Sequence, residues 1–378
     1  MNMTKLAIVR QKYRPDGGAE KFVASALTAL RETESIDLTV ITRQWQGELD
    51  PHYHVLRCDP FKWGRVSRER GFAKQAQALF ADFDLVQSHE RIPGCDIFRA
   101  GDGVHRCWLE HKSRIQTPAQ AKAMQRSRFH RYIINAEQAM FDHPNLKAVI
   151  CNSNLVKREI CQHFSLNPER IHVIYNAVDT KQFHPDLRRY RLPIRQQLAI
   201  PDSAPVMLYV GSGFERKGVA AAIEAIAQTH AHLLIIGQDK QEKRYRTQAK
   251  NLGCQERIHF LGLQKQPAAY YGAADGFLFP TLYDPFPNVV LEAMAAGLGV
   301  ITSTTCGASD IIRHGENGFV TDALDIEAIA QAIRSLSDSQ MSLEIGQQAR
   351  ITVEPFTASR LAEQLNTLYQ HLLQQYRS

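Results

Sequence analysis

The sequence predicts an α/β protein made of two Rossmann-like, doubly wound domains facing a central cleft. Three observations predict this. The chain has 378 residues, more than one ordinary domain holds. Short β-branched runs alternate with amphipathic stretches throughout, the pattern of parallel sheets covered by helices on both faces. The pattern is played twice, on either side of a segment rich in charge and proline at 176–205, "NAVDTKQFHPDLRRYRLPIRQQLAIPDSAP".

In the first half the expected strands are "KLAIVR" (5–10), "DLTVIT" (37–42), "HVLR" (54–57), "DLVQSH" (84–89), "DIFRAG" (96–101), "KAVICNS" (147–153) and "IHVIYN" (171–176). In the second half they are "VMLYVGS" (206–212), "HLLIIG" (232–237), "IHFLG" (258–262), "GFLFPT" (276–281) and "GVITS" (299–303). Each is a short apolar run bounded by turn residues or charge. Amphipathic stretches such as "GAEKFVASALTALRE" (18–32) and "GVAAAIEAIAQTH" (218–230) supply helices between them. The segment 176–205 lacks a long apolar pattern and reads as a linker plus a small helix. Domains are expected at 1–180 and 181–355, with a last helix in 356–378 that folds back on the first domain.

Composition narrows the function classes. No run of about 18 apolar residues exists, so no membrane span is expected. The opening "MNMTKLAIVRQKY" enters a strand at once and lacks the apolar core of a secretory signal, so a cytoplasmic location is expected. Seven cysteines stand singly, with no CxxC, and the 15 histidines form no HxxxH pair. No metal-ligand spacing results, and no metal site is expected. The formal charge of +6 suits an anionic small molecule, an anionic lipid surface or nucleic acid.

Five constellations carry chemistry. After the first strand, Gly17-Gly18 makes a tight turn whose amides can approach an anion, although a plain βα turn reads the same way. Glu20 follows as a dipole-complementing residue. In "YVGSGFERKGVAAAIEA" (209–225), Arg216 and Lys217 open a helix, where cations oppose the helix dipole. An anion offsets that cost. Arg offers a planar fork and Lys a point charge, the pair suited to a diphosphate, and Gly211, Ser212 and Gly213 leave it room. In "TLYDPFPNVVLEAMAAGLGVITS" (281–303), a Pro-rich loop precedes a helix opening at Asn288. Asp284 and Glu292 stand eight apart, one in the loop and one in the helix. Such carboxylates accept hydrogen bonds from sugar hydroxyls, although Glu292 also reads as an ordinary helix carboxylate.

The fourth constellation is "FRAGDGVHRCWLEHK" (98–112), a Gly-Asp-Gly turn with Asp102 and His105 close after a strand; His89 ends another strand nearby. The fifth is 111–141. There a helix expected from Pro118 gathers Lys122, Arg126, Arg128, His130 and Arg131 with no acid until Glu137, and Lys112 and Arg114 precede it. The basic stretch "WGRVSRERGFAK" (63–74) adds to it. An anionic membrane surface, an anionic acceptor and a solvated basic face all fit. No helix-turn-helix, finger or stacking-aromatic pattern supports nucleic acid.

In this order the motifs resemble the retaining glycosyltransferases of family 4, which have the GT-B fold. "NAVDTKQFHP" (176–185) is similar to that family's interdomain motif. "QKYRPDGGAEKFV", "GSGFERKG" and "GQD" at 237–239 resemble its lipopolysaccharide-core glucosyltransferase branch. The resemblance implies a metal-independent hexosyltransferase with no cofactor beyond a UDP-sugar donor, UDP-glucose or a similar sugar. Its acceptor would be a lipopolysaccharide-core or other cell-surface glycan at the inner membrane face. It implies that Gly17, Gly18 and Gly213 border the donor and that Arg216 and Lys217 bind its diphosphate. Glu292 would hold the ribose, while Phe286, Asn288 and Val289 line phosphate and sugar with backbone. Asp284 stands where the family has a glutamate, a shortening of about 1–1.5 Å. Asp102 matches the core-glucosyltransferase pattern and His105 a histidine of other branches, so either can contact the transferred sugar. Two further readings share the ligand: a GT-B-like nucleotide-sugar epimerase, and a non-catalytic nucleotide-sugar-binding homologue.

Overall fold

The computed structural model describes residues 3–13, 36–46 and 52–376. The Gly17-Gly18 turn, Glu20 and the helix expected over 18–32 lie outside the described residues. The chain divides into two compact units, one of residues 1–176 with 358–378, the other of residues 177–357.

The first unit holds a parallel sheet of seven strands: β1 (Thr4–Val9), β2 (Ile36–Thr42), β3 (His54–Arg57), β4 (Leu85–Ser88), β5 (Ile97–Arg99), β6 (Ala148–Cys151) and β7 (Ile171–Val173). Their spatial order is β3-β2-β1-β4-β5-β6-β7. Residues of both faces are buried in β1, β4 and β6, as a doubly covered parallel sheet requires. Helix Ala358–Tyr376 belongs to this unit. Its Leu361, Leu365, Leu368, Tyr369 and Leu372 make one buried stripe at helical spacing. The Tyr369 hydroxyl donates to Gln87 Oε1 of β4 at 2.6 Å.

The second unit repeats the plan with β8 (Val206–Val210), β9 (His232–Ile236), β10 (Ile258–Gly262), β11 (Gly276–Phe279), β12 (Gly299–Ser303) and β13 (Gly318–Thr321). The order is β10-β9-β8-β11-β12-β13. The chain winds outward from β8 on one side, then restarts beside β8 with β11. The loops after β8 and β11 therefore diverge at a topological switch point, where such sheets bind ligands.

Three sequence expectations change. The small helix expected within 176–205 is Arg191–Gln197, and the segment around it packs into the second unit instead of running as a bare linker. Arg195, 1% exposed, bonds the carbonyls of Ala273, Asp202 and Ala204 and the Asp275 carboxylate, locking helix Arg191–Gln197 into the second unit. Nothing local in the sequence shows this, because the partner Asp275 lies some eighty residues away. Strand β13 is an addition, since Gly318–Thr321 is too short to show a period; pairing with β12 creates it. The basic helix from Pro118 is two helices, Pro118–Arg126 and Arg128–Phe141. Ser127 ends one, and its hydroxyl accepts from the His130 amide to cap the next.

One half-buried pair predicts an acid sensitivity. His232 Nδ1 lies 3.1 Å from His259 Nε2 on the neighbouring strand. Burial, helped by His259, Arg257 and Arg195, holds the His232 pKa down at about 4. An unfolded histidine titrates near 6.5. The unfolded chain therefore binds more protons between these values, and the stability present above pH 6.5 is lost as pH falls towards 4. In denaturant melts over this range, His232→Gln should flatten the acid-side loss. Parallel curves for the two proteins would refute this role.

Candidate functional site

The switch-point loops of the second unit meet through the backbone. After β8 the chain turns through Gly211, Ser212 and Gly213, and the helix proper opens at Val219 rather than at Arg216. The Arg216 carbonyl accepts from the Leu282 amide at 2.9 Å and from the Thr281 hydroxyl at 3.0 Å, tying this turn to the loop after β11. Gly218, at φ +79°, permits the approach: a Cβ there would stand 1.8 Å from the Pro280 carbonyl oxygen.

The two cations sit on this junction. Arg216 Nη1 donates to the Tyr283 carbonyl at 2.8 Å and to Asp284 Oδ2 at 3.0 Å. Asp284 is buried and held on both sides, its amide donating to Thr305 O and its carbonyl accepting from the Gly307 amide. Lys217 is half-buried. Its Nζ lies 5.3 Å from the Phe279 ring centre, and a Cβ on Gly211 would come within 2.9 Å of it. Burial lowers the Lys217 pKa, and the Asp284 carboxylate works against that shift. Both cations stay partly open to solvent, Arg216 at 37% of its side chain, so an incoming anion can reach them.

Opposite them in sequence, helix Asn288–Ala295 begins after Pro287, which carries no side-chain cap. The amides of Asn288 and Val289 belong to the first turn, where no carbonyl lies further back in the helix to accept them. Phe286, buried, fixes the entry of the chain. One turn on, Glu292 is 8% exposed, and its Oε2 accepts from the Tyr271 hydroxyl at 2.9 Å. Burial and this carboxylate push the Tyr271 phenol well up, so it remains a donor. At Gly213, φ +78°, nothing stands within 4 Å of the point a Cβ would occupy, so that side of the turn is open. The structure thus gathers Gly213, Arg216, Lys217, Asp284, Phe286, Asn288, Val289 and Glu292 on two neighbouring strand ends and the helices that follow.

The first unit carries the other candidates. The Asp102 side chain, 57% exposed, lies 3.8 Å from Arg10 Nη1. Below the turn the buried Arg99 bonds Asn176 Oδ1 at 2.8 Å. His105 opens helix His105–Ser113. Its amide donates to both Glu137 oxygens at 3.2 Å, and Nε2 lies 3.0 Å from His130 Nδ1. Burial, Arg91 and His130 hold its pKa down at about 3, so the ring is neutral and offers a hydrogen bond, not a charge. His89, 5% exposed, pairs with Gln87 at 3.0 Å, inside the network that ends on Tyr369. It is a buried residue at the end of β4.

Two family descriptions match this chain, "Glycosyltransferase Family 4" over residues 16–182 and "Glycosyl transferases group 1" over residues 191–352. The chain belongs to the family 4/group 1 glycosyltransferases. The lipopolysaccharide glucosyltransferase WaaG of Escherichia coli K12 is 25% identical to this glycosyltransferase over 360 residues, covering 91% of this chain and 93% of WaaG. A WaaG crystal structure superposes with a TM-score of 0.79 at 24% identity, over 95% of this chain and 98% of that one. Anabaena HepE, solved with UDP and glucose, superposes at 0.73 and 20% identity, over 97% and 100%. The two structures bear out the fold: this glycosyltransferase has the two Rossmann-like sheets of GT-B proteins.

Several residues that shape the site gave no sequence signal. Tyr271 meets Glu292 across 21 positions, and Thr305 meets Asp284 across 21. Asp239, in the "GQD" noted above, accepts from the Phe214 amide at 2.8 Å and fixes the turn before Arg216. Arg91 and Glu137, paired at 2.7 Å, hold the amide of His105. Asp239 and Glu137 lay in stretches that sequence reasoning singled out, but neither was given this role.

Proposed function

We propose that this glycosyltransferase moves a hexose from a UDP-sugar, UDP-glucose or a close analogue, to a hydroxyl of a lipopolysaccharide-core or other cell-surface glycan, with retention of anomeric configuration. The observation that carries this reading is the paired cations Arg216 and Lys217 on the switch-point turn, which is tied to the loop that leads into helix Asn288–Ala295. Bond cleavage moves negative charge onto the departing diphosphate. Fixed cations and helix-terminal amides stabilise that charge without reorganising. They supply the role a metal plays elsewhere, so the reaction proposed is metal-independent.

Glu292, oriented by Tyr271, accepts the ribose hydroxyls. Asp284 holds Arg216 in place and borders the sugar. On the front-face route, the donor phosphate takes the acceptor proton as the glycosidic bond breaks. A neutral His105 and the exposed Asp102 each offer a hydrogen bond to the transferred sugar. The names of WaaG, a lipopolysaccharide glucosyltransferase, and of HepE with UDP and glucose support donor and acceptor class.

With that acceptor class, the proposed place of work is the inner face of a membrane. No described helix is long and apolar enough to cross one. A peripheral contact with anionic lipid is supported by Lys122, Arg126, Arg128 and Arg131, all exposed. Arg65 stacks 4.0 Å over Phe129, bringing the start of helix Gly64–Gln77 against that basic face. Just before it, Phe61 and Trp63 are 82% and 79% exposed. Aromatic rings beside basic residues suit an interface, where each cation is worth about 1 kcal/mol.

Thermal melting with UDP, GDP, ADP and their sugar conjugates tests the reading. UDP at a hundred times its dissociation constant should stabilise by about 2.7 kcal/mol. The shift should vanish in Arg216→Ala/Lys217→Ala, and the sugar conjugate with the largest shift names the donor. A folded protein that no nucleotide stabilises would refute the proposal.

A further inference from the structure

Away from the switch point, a second group of side chains has metal-ligand chemistry. Cys107 and Glu110 lie three apart on one face of helix His105–Ser113. His163 closes helix Asn154–His163. The Cys107 thiol, a Glu110 carboxylate oxygen and a His163 ring nitrogen all lie within 4.8 Å of one another. Glu159, buried, stands one turn before His163 on the same helix. A linear spacing search misses this group because its members come from two helices, with Glu110 and His163 more than fifty residues apart.

We propose that Cys107, Glu110 and His163 bind one Zn²⁺, which clips helix His105–Ser113 to helix Asn154–His163. Thiolate sulfur, imidazole nitrogen and carboxylate oxygen are the donors zinc takes. The incoming ion displaces the thiol proton to solvent as the sulfur–metal bond forms. The helix being clipped begins at His105, two residues before the thiol. The ion is therefore a positioning device for that end of the first unit, and takes no part in the diphosphate chemistry proposed for the second. The inference holds whatever reaction the protein catalyses.

Cobalt(II) reports on this site because a thiolate ligand gives it a near-ultraviolet charge-transfer band. The full-length protein, stripped with a chelator, should take up one equivalent of Co²⁺ with that band, and Zn²⁺ should displace it. The band should vanish in Cys107→Ser and persist in Cys161→Ser, a control at the exposed cysteine nearby. His163→Ala and Glu110→Gln remove half-exposed and exposed side chains and should leave the fold intact. Each should weaken Co²⁺ binding at least about tenfold. Zn²⁺ should also slow amide exchange in residues 105–113 of the wild type and not of His163→Ala. No band in the wild type would overturn the proposal. So would full affinity in both His163→Ala and Glu110→Gln, or a band lost with Cys161 rather than Cys107.

Discussion

Lys217→Ala should lower kcat by about 10²–10³-fold, a barrier increase of about 2.7–4 kcal/mol, with little change in folding stability. The ammonium of Lys217 is kept where burial already disfavours its charge. A group held at such a cost has more to gain when negative charge grows beside it. On a front-face route that charge is largest in the transition state, so the loss falls on kcat more than on KM. Arg216→Ala is a less clean experiment. Its guanidinium also ties Tyr283 and Asp284 to the turn, so its removal loosens the site as well as discharging it. Steady-state rates with a UDP-sugar and a core-glycan acceptor measure the effect. A folded Lys217→Ala enzyme within about threefold of the wild-type kcat would show that the cation plays no part in the chemical step; threefold is well below the loss of one oxyanion donor.

Gly218→Ala should destabilise the second unit by about 3 kcal/mol or more, from a left-handed residue and two strained hydrogen bonds. The added Cβ has no place to go. It would stand 1.8 Å from the Pro280 carbonyl oxygen, so the loops after β8 and β11 must part. Parting them strains the bonds from Leu282 and Thr281 to the Arg216 carbonyl. Gly213→Ala is the matched control. Its φ is also left-handed, at +78°, but nothing stands within 4 Å of its Cβ position. It should cost only the backbone preference, about 1–2 kcal/mol. Equal losses for the two variants in denaturant melts would refute the role assigned to the Pro280 contact.

Much of this protein was legible in its sequence. Short runs rich in apolar and β-branched residues, punctuated by turn residues or charge, mark the strands, so β3, β10 and β12 were bounded to the residue. The cations at 216 and 217 stood out because they contradict the helix dipole. Helix Ala358–Tyr376 was visible as a periodic stripe. What failed was whatever depends on contacts between distant segments. The packing role of Arg191 and Arg195 is invisible until Asp275 is beside them. Strand β13 exists because β12 offers it an edge. The break at Ser127 comes from a cap that a basic helical pattern conceals.

The candidate site divides in the same way. Sequence alone determined which residues bring charge and hydrogen-bonding capacity: Arg216, Lys217, Asp284 and Glu292, with glycines around them. Residue type fixes chemistry, and local spacing fixes which side chains share a turn. Only the tertiary structure decided how they are used. It placed the 216–218 turn against the 280–284 loop through the reversal of strand order between β8 and β11. It gave Glu292 its tyrosine and Arg216 its aspartate. It drew His89 into the core and set Cys107, Glu110 and His163 together. Burial and through-space contact set pKa, orientation and pairing, and neither is written in the order of residues along the chain.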